Sequence, residues 1–270
     1  RNLVATGVDM NKIALLDNFC WCSSNDPQRI YQLKKAAQAC YDFAKIYETP
    51  FISGKDSMFN DFKGYDEKGT SLKVSIPPTL LISSIGLIED VMKTISIDVK
   101  FSGDLVYVLG ETKDELGGSE YFAMNKSVGN NIPKVEAQKN KKLYQSFYKA
   151  SQKQLISSAI SIIRGGLGVT LAKTSLAGKL GLEVSLDKLP GKITRNDFAL
   201  FSESQGRILV TINPKNKKGF EKIMKGNQFK KIGKVTDKQR LVINGLDDKT
   251  IVDLNLGQVE KAYKSTFKNY

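Results

Sequence analysis

The chain has 270 residues, 41 Lys and Arg against 28 Asp and Glu, no His, and a formal net charge of +13. That length suits one large or two small domains, and the absence of His excludes histidine acid–base chemistry within the chain. No apolar run approaches the roughly 18–20 residues of a membrane span, so no membrane association is expected.

Cys20, Cys22 and Cys40 are too few for a disulfide framework or an all-thiolate zinc site. They are expected to be reduced and mostly buried in a cytoplasmic protein. The densest basic groups, Lys139-Asn140-Lys141-Lys142 and Lys215-Asn216-Lys217-Lys218, are expected on solvated helix faces. No aromatic platform is interleaved with them, so no nucleic acid is expected as a partner. The opening Arg1-Asn2-Leu3-Val4 has neither an initiator Met nor a signal-peptide profile, and the chain is expected to begin inside a longer protein.

Asp26-Pro27 is a helix start, a capping carboxylate followed by proline at the first helical position. Ile30, Leu33, Ala37, Cys40, Tyr41 and Ala44 recur at helical spacing and predict one buried face, ended by Thr49-Pro50. Phe51-Ile52 is a short strand running into a polar loop, Ser53-Gly54-Lys55-Asp56-Ser57. Gly64 and Gly69 mark a hairpin or loop, and Thr79 to Gly86 is a buried strand. The pattern resets near Ser102-Gly103, which predicts domains of residues 1–102 and 103–270.

Beyond the reset, Leu105 to Leu109 is a strand and Gly117-Gly118-Ser119-Glu120 opens a short helix. Glu136 to Lys153 is an exposed, lysine-rich helix, and Ile156 to Ile163 contains a strand. Gly165-Gly166-Leu167-Gly168 introduces a helix closed near Gly178. Strands follow at Ile208 to Ile212, Ile232 to Val235 and Leu241 to Ile243, with helices at Lys217 to Met224 and the carboxy terminus. The fold class is α+β.

Several segments are compatible with anion or metal chemistry. In Gly54-Lys55-Asp56-Ser57, glycine admits close approach, Lys55 pairs with phosphate, Asp56 suits Mg²⁺ and Ser57 donates to an anion. The spacing is not that of a Walker A loop, and a polar turn is the plainer reading. Asp17, ending Ala14-Leu15-Leu16-Asp17-Asn18, is a metal–nucleotide candidate or a turn former. The glycines before the helices at 117–119 and 165–166 suit phosphate, though most helix starts bind nothing. Ser202-Glu203-Ser204-Gln205-Gly206-Arg207 reads first as a solvated turn.

Taken in order, these segments resemble the second half of the phosphoribosylformylglycinamidine synthase family. The resemblance rests on Ala14-Leu15-Leu16-Asp17-Asn18, Thr49-Pro50-Phe51-Ile52-Ser53-Gly54-Lys55-Asp56-Ser57 and Ile76-Pro77-Pro78-Thr79. It also rests on Glu115-Leu116-Gly117-Gly118-Ser119-Glu120-Tyr121, Gly165-Gly166-Leu167-Gly168-Val169 and Phe201-Ser202-Glu203-Ser204. It implies the aminoimidazole ribonucleotide synthetase-like fold, with an incomplete amino-terminal α/β domain and a complete carboxy-terminal α+β domain.

The implied reaction converts formylglycinamide ribonucleotide, ATP and glutamine-derived ammonia to formylglycinamidine ribonucleotide in purine biosynthesis, an ATP-dependent C–N ligation. Its partners would be the first half of the synthase and a glutaminase subunit or domain. By motif position the resemblance implies ATP contacts from Asp17, Gly54 and Lys55, and a substrate contact from Ser57. Lys55 stands where many relatives have a magnesium-binding Asn, so it would neutralise phosphate and leave Asp56 as the metal candidate. No catalytic residue is implied, because the family's catalytic histidine belongs to the first half. Where relatives often carry acidic residues before Gly-Gly-Leu, this chain has Ile160-Ser161-Ile162-Ile163-Arg164. That departure keeps a non-catalytic scaffold half as an alternative, beside another ATP-dependent member such as a selenophosphate synthetase.

Overall fold

The computed structural model describes residues 1–268. Its elements begin with α1 (Asn2–Ala5), β1 (Ile13–Cys20), α2 (Pro27–Tyr47), β2 (Phe51–Ser57), β3 (Asp61–Tyr65), β4 (Ser71–Ser75) and β5 (Thr79–Gly86). They continue with β6 (Leu105–Leu109), α3 (Glu120–Met124), α4 (Ala137–Gln152), β7 (Ser158–Ser161), α5 (Gly166–Gly178) and β8 (Gly181–Ser185). Then come α6 (Asn196–Phe201), β9 (Ile208–Ile212), α7 (Lys217–Met224), β10 (Phe229–Thr236), β11 (Arg240–Asn244), β12 (Thr250–Asn255) and α8 (Leu256–Lys264). The class is α+β. Two compact units form, Val8–Leu87 and Arg1–Gly7 with Ile88–Tyr270. Their junction lies after Leu87, whereas the sequence pattern resets near residue 102. Among the described residues no helix is long and apolar enough to cross a membrane.

In the smaller unit, β1 is the middle of a three-stranded sheet, parallel to β2 and antiparallel to β5. Helix α2 makes the crossover between β1 and β2. Asp26 caps it, accepting from the backbone N–H of Gln28 (2.9 Å) and Arg29 (3.4 Å). At its far end Glu48 turns left-handed (φ 58°) before Thr49-Pro50. The helix lies on one sheet face, where Leu33, Ala36 and Cys40 pack against Phe19, Trp21 and Cys22. The indole of Trp21 donates to Arg29 O at 2.9 Å.

Two sequence expectations fail in this unit. No residue of α2 is fully buried, and Ile30 and Tyr41 are exposed, because a sheet of only three strands cannot cover the whole stripe. Strand β5 is open rather than buried: Leu81 and Ile85 are 58% and 57% exposed. The hairpin expected around Gly64 and Gly69 is β3–β4, with Asp66 accepting from Lys68 and Thr70 across its turn.

The larger unit is built on a seven-stranded sheet in the order β12-β11-β8-β10-β6-β9-β7, antiparallel except at β8–β11. Strand β6, Leu-Val-Tyr-Val-Leu, is apolar throughout because both of its faces are covered. Val106 and Val108 join Leu167 and Leu171 of α5 and Ala199 and Leu200 of α6 in one core. Tyr107 points to the opposite face, edge-on to Phe220 of α7 at 5.3 Å, with its hydroxyl donating to Glu221 at 2.8 Å. Helix α4 is not simply an exposed, lysine-rich helix: Leu143, Tyr144, Phe147 and Ala150 bury one face. Burial of such side chains contributes about 1.5–3 kcal/mol each.

Candidate functional site

The segment Gly54-Lys55-Asp56-Ser57 is strand, not loop. Its turn-forming residues are held extended by parallel pairing with β1. The register sets Asp17 against Gly54, Asn18 against Lys55, Phe19 against Asp56 and Cys20 against Ser57. Asp17 therefore lies within strand β1, directly beside Gly54. A Cβ on Gly54 would come within 3.0 Å of Asp17 Cγ and closer still to Oδ1, so only glycine leaves room for the carboxylate as it stands.

Paired residues share a face and neighbours alternate. Asp17, Gly54 and Asp56 thus lie on the face that carries Phe19 and faces α2, whereas Lys55 and Ser57 lie on the other. The pairing of Lys55 Nζ with Ser57 Oγ agrees with this alternation. The register therefore brings Asp17, Gly54 and Asp56 together and separates them from Lys55 and Ser57. Since β2 is the edge strand, its backbone borders solvent on one side.

Opposite Asp17 on α2 stands Cys40. Burial first and the Asp17 carboxylate second push its thiol above the ordinary cysteine range. The sequence placed Cys40 among the reduced thiols and in a helical stripe; its closeness to Asp17 follows from the crossover that lays α2 over β1. Among the described residues no group of three or more His, Cys, Asp or Glu gathers to hold a metal.

In the larger unit, Ser202 to Arg207 is not a solvated turn but a buried polar hub. Arg207 is fully buried and donates to Ser204 O (3.1 Å), Thr112 Oγ1 (3.0 Å) and Ser202 O. Burial first and neighbouring Arg1 second draw its pKa down to about 9, which leaves it charged at neutral pH. Ser202 and Ser204 accept from the backbone N–H groups of Glu115 (3.2 Å) and Lys113 (3.1 Å).

Glu203 Oε1 accepts from the backbone of Glu120 (3.0 Å), opening α3, and of Gly165 (2.9 Å), capping α5. A carboxylate of the chain itself therefore occupies the amides at both glycine-rich helix starts. Arg164, exposed just before the Gly165-Gly166 helix start, pairs with Glu120.

Residues 102–245 match the family described as AIR synthase related protein, C-terminal domain. Over 99% of its length the chain is 34% identical to phosphoribosylformylglycinamidine synthase subunit PurL of Methanocaldococcus jannaschii, covering 35% of that protein. It is 31% identical to the subunit of the same name from Alkaliphilus metalliredigens, covering 99% of this chain and 34% of that one. The chain thus spans about a third of the curated relatives it matches. Among solved structures, Thermotoga maritima PurL complexed with FGAR superposes with a TM-score of 0.70 at 16% identity, over 96% of this chain and 41% of that one. E. coli HypE superposes with a TM-score of 0.66 at 14% identity, over 94% and 75%. At these identities the structural likeness establishes a shared fold.

Proposed function

The chain belongs to the AIR synthase related protein family, and from that premise we propose that it is the carboxy-terminal part of a phosphoribosylformylglycinamidine synthase. The assigned reaction is the ATP-dependent conversion of formylglycinamide ribonucleotide and glutamine-derived ammonia to formylglycinamidine ribonucleotide. It is carried out in the cytoplasm jointly with the first half of the synthase and a glutaminase. Likeness to PurL subunits over 99% of the chain supports the reading. A family match that starts at residue 102 supports domains divided near residues 102 and 103, although the compact units part after Leu87.

The observation that carries the nucleotide assignment is the close fit of the Asp17 carboxylate over Gly54 on an accessible strand pair. ATP is assigned to Asp17, Gly54 and Lys55, and the ribonucleotide to Ser57. Two carboxylates on one face, Asp17 and Asp56, suit Mg²⁺, which commonly takes one or two protein carboxylates and completes its shell with phosphate and water. When bound, Mg²⁺ would supply charge neutralisation at phosphate. Lys55 lies on the opposite face of β2 beside Ser57, so its part in the ATP assignment rests on the family resemblance rather than on this face. The open sheet face with Leu81 and Ile85 is the surface assigned to the first half of the synthase.

For the larger unit alone, a scaffold role is the second reading. Glu203 occupies the helix-start amides, and Arg164 stands where the acidic residues of relatives would be.

The test is steady-state kinetics in the full-length synthase. Asp17→Ala or Ser57→Ala is expected to lower kcat/KM by about tenfold or more, with thermal unfolding unchanged. Wild-type kinetics for both variants would reject the nucleotide assignment.

A further inference from the structure

Residues 139–153 carry five Lys and no carboxylate, and residues 215–238 carry nine Lys and two carboxylates. These two segments supply 12 of the chain's 13 net positive charges, and the other 231 residues balance to within one charge. Far apart in sequence, they are set side by side by the fold. Asn216, just before α7, donates to Leu155 O beyond the end of α4 (3.4 Å). At the other end of α7, Asn227 donates to Ser146 Oγ (3.0 Å) and Lys142 to Gly226 O (3.0 Å). The two helices therefore run antiparallel.

Each helix buries its inner side, Asn140, Leu143 and Phe147 on α4 and Phe220 and Met224 on α7. The lysines are left outside. Lys142, Lys149 and the capping Lys153 of α4, with Lys218, Lys222 and the capping Lys225 of α7, are all exposed. None of these six forms an ion pair among the described residues; in the two segments the paired ammonium groups include Lys139 with Glu136 and Lys234 with Glu183.

The arrangement works against the fold. Lys149 and Lys153, like Lys218 and Lys222, are equal charges four residues apart on a helix, where they repel. Lys217 and Lys218 stand in the first turn of α7, where the helix dipole favours carboxylates, and that turn holds none. Local choices that oppose stability are expected where a surface serves binding. A polyanion laid across both helices relieves all of them.

What the face lacks selects the polyanion. Between residues 136 and 250 no large apolar side chain is exposed among the described residues. A protein interface is poor in Lys and is anchored by aromatic, Met or Arg side chains. A basic patch holds a bilayer firmly only together with an acyl chain or inserted apolar groups. Stacked single strands need an aromatic platform. The missing platform, on which the sequence expectation of no nucleic acid rests, is thus no obstacle to a duplex. A duplex backbone needs only cations, which gain affinity by releasing its counterions. All fourteen cations are Lys, point charges without the fork by which Arg reads guanine.

We propose that the α4–α7 face binds the phosphate backbone of double-stranded nucleic acid without sequence preference. This goes beyond the synthase reading and does not rest on it.

Fluorescence anisotropy of a labelled DNA duplex of about 20 base pairs, titrated with the 270-residue chain, tests this. A Kd of about 1 µM is expected at 50 mM salt, weakening on the order of 100-fold at 200 mM, and duplexes of unrelated sequence should agree within about threefold. Duplex RNA run alongside shows which backbone is preferred, and binding of either supports the proposal. Lys218→Gln, Lys222→Gln and Lys225→Gln combined should weaken binding at least about tenfold and flatten the log–log salt dependence by about three. The melting temperature should not fall, because repelling neighbours are removed. Lys34→Gln, Lys35→Gln and Lys45→Gln combined take the same charge from exposed side chains of α2 and should leave the affinity within about twofold. The proposal is overturned if neither duplex binds at about 100 µM chain in 50 mM salt. Tighter binding of a single strand, of polyglutamate or of phosphatidylserine vesicles would overturn it as well, as would an equal loss in the α2 control.

Discussion

The carboxylate of Asp17 lies over the α-carbon of Gly54, its partner in the parallel β1–β2 register, with no room for a side chain between them. Gly54→Ala must therefore move the carboxylate or the strand. A loss of about 1–3 kcal/mol is expected in urea unfolding, the range for overpacking a close contact. Removing the obstacle should restore most of it, so Gly54→Ala with Asp17→Ala should be more stable than the sum of the two single changes predicts. Additive effects would show that the two residues do not meet in solution.

The same carboxylate reports on Cys40 from the other side. With burial as the larger cause, it holds the thiol in its protonated form to higher pH than in an unfolded chain. A raised folded pKa contributes stability that is fully present below the unfolded value, about 8.5, and is lost as pH rises through the folded one. Asp17→Asn removes the electrostatic part. Alkylation of Cys40 by iodoacetamide, followed by peptide mass spectrometry, should then reach its half-maximal rate at lower pH than in the wild type. Identical pH profiles would contradict the pairing.

Glu203 ties together the starts of α3 and α5 through a single oxygen, at 3.0 and 2.9 Å. Glu203→Ala should cost about 2–3 kcal/mol, since hydrogen bonds to a charged acceptor are among the stronger ones and two amides lose their partner. Glu203→Gln keeps an acceptor and should cost less. Hydrogen exchange at Glu120 and Gly165 amides locates the effect; no faster exchange in Glu203→Ala would argue against the shared cap.

Elements whose chemistry is written in adjacent residues were legible from sequence. Asp26-Pro27 started α2, and Ile208 to Ile212 is strand β9 as expected. Segments decided by pairing were not. Ser-Gly-Lys-Asp-Ser carries turn formers, yet β1 holds it extended, because tertiary pairing outweighs local propensity in strands. Strands β8 and β12 and helix α6, none of them anticipated, are short, with weak periodic signals. Arg207 looked like a surface residue because its acceptor Thr112 lies far away in sequence. Asn140 was hidden by the lysines around it. Its spacing from Ala137, Tyr144 and Phe147 is that of the buried face of α4, a signal that periodicity could have supplied where composition misled.

Asp104, just before β6, is 1% exposed, and its carboxylate oxygens make no well-formed hydrogen bond, the Ser157 hydroxyl being only nearby. Burial raises its pKa; the Ser157 hydroxyl and the Lys100 charge offset this only in part. The sign follows from the raised folded value. Its favourable contribution is complete below the unfolded pKa, about 3.9, and disappears as pH climbs through the folded one. Ionisation therefore costs more in the native chain than in the unfolded one. Asp104→Asn has the same shape and no titration, so its stability relative to wild type should improve as pH rises from about 4 to about 8. Whatever the exchange of oxygen for amide costs in packing is the same at every pH and cancels from that comparison. Urea unfolding of both proteins across this range gives the difference directly. A gap independent of pH would mean that Asp104 ionises in the folded protein as readily as in the unfolded one.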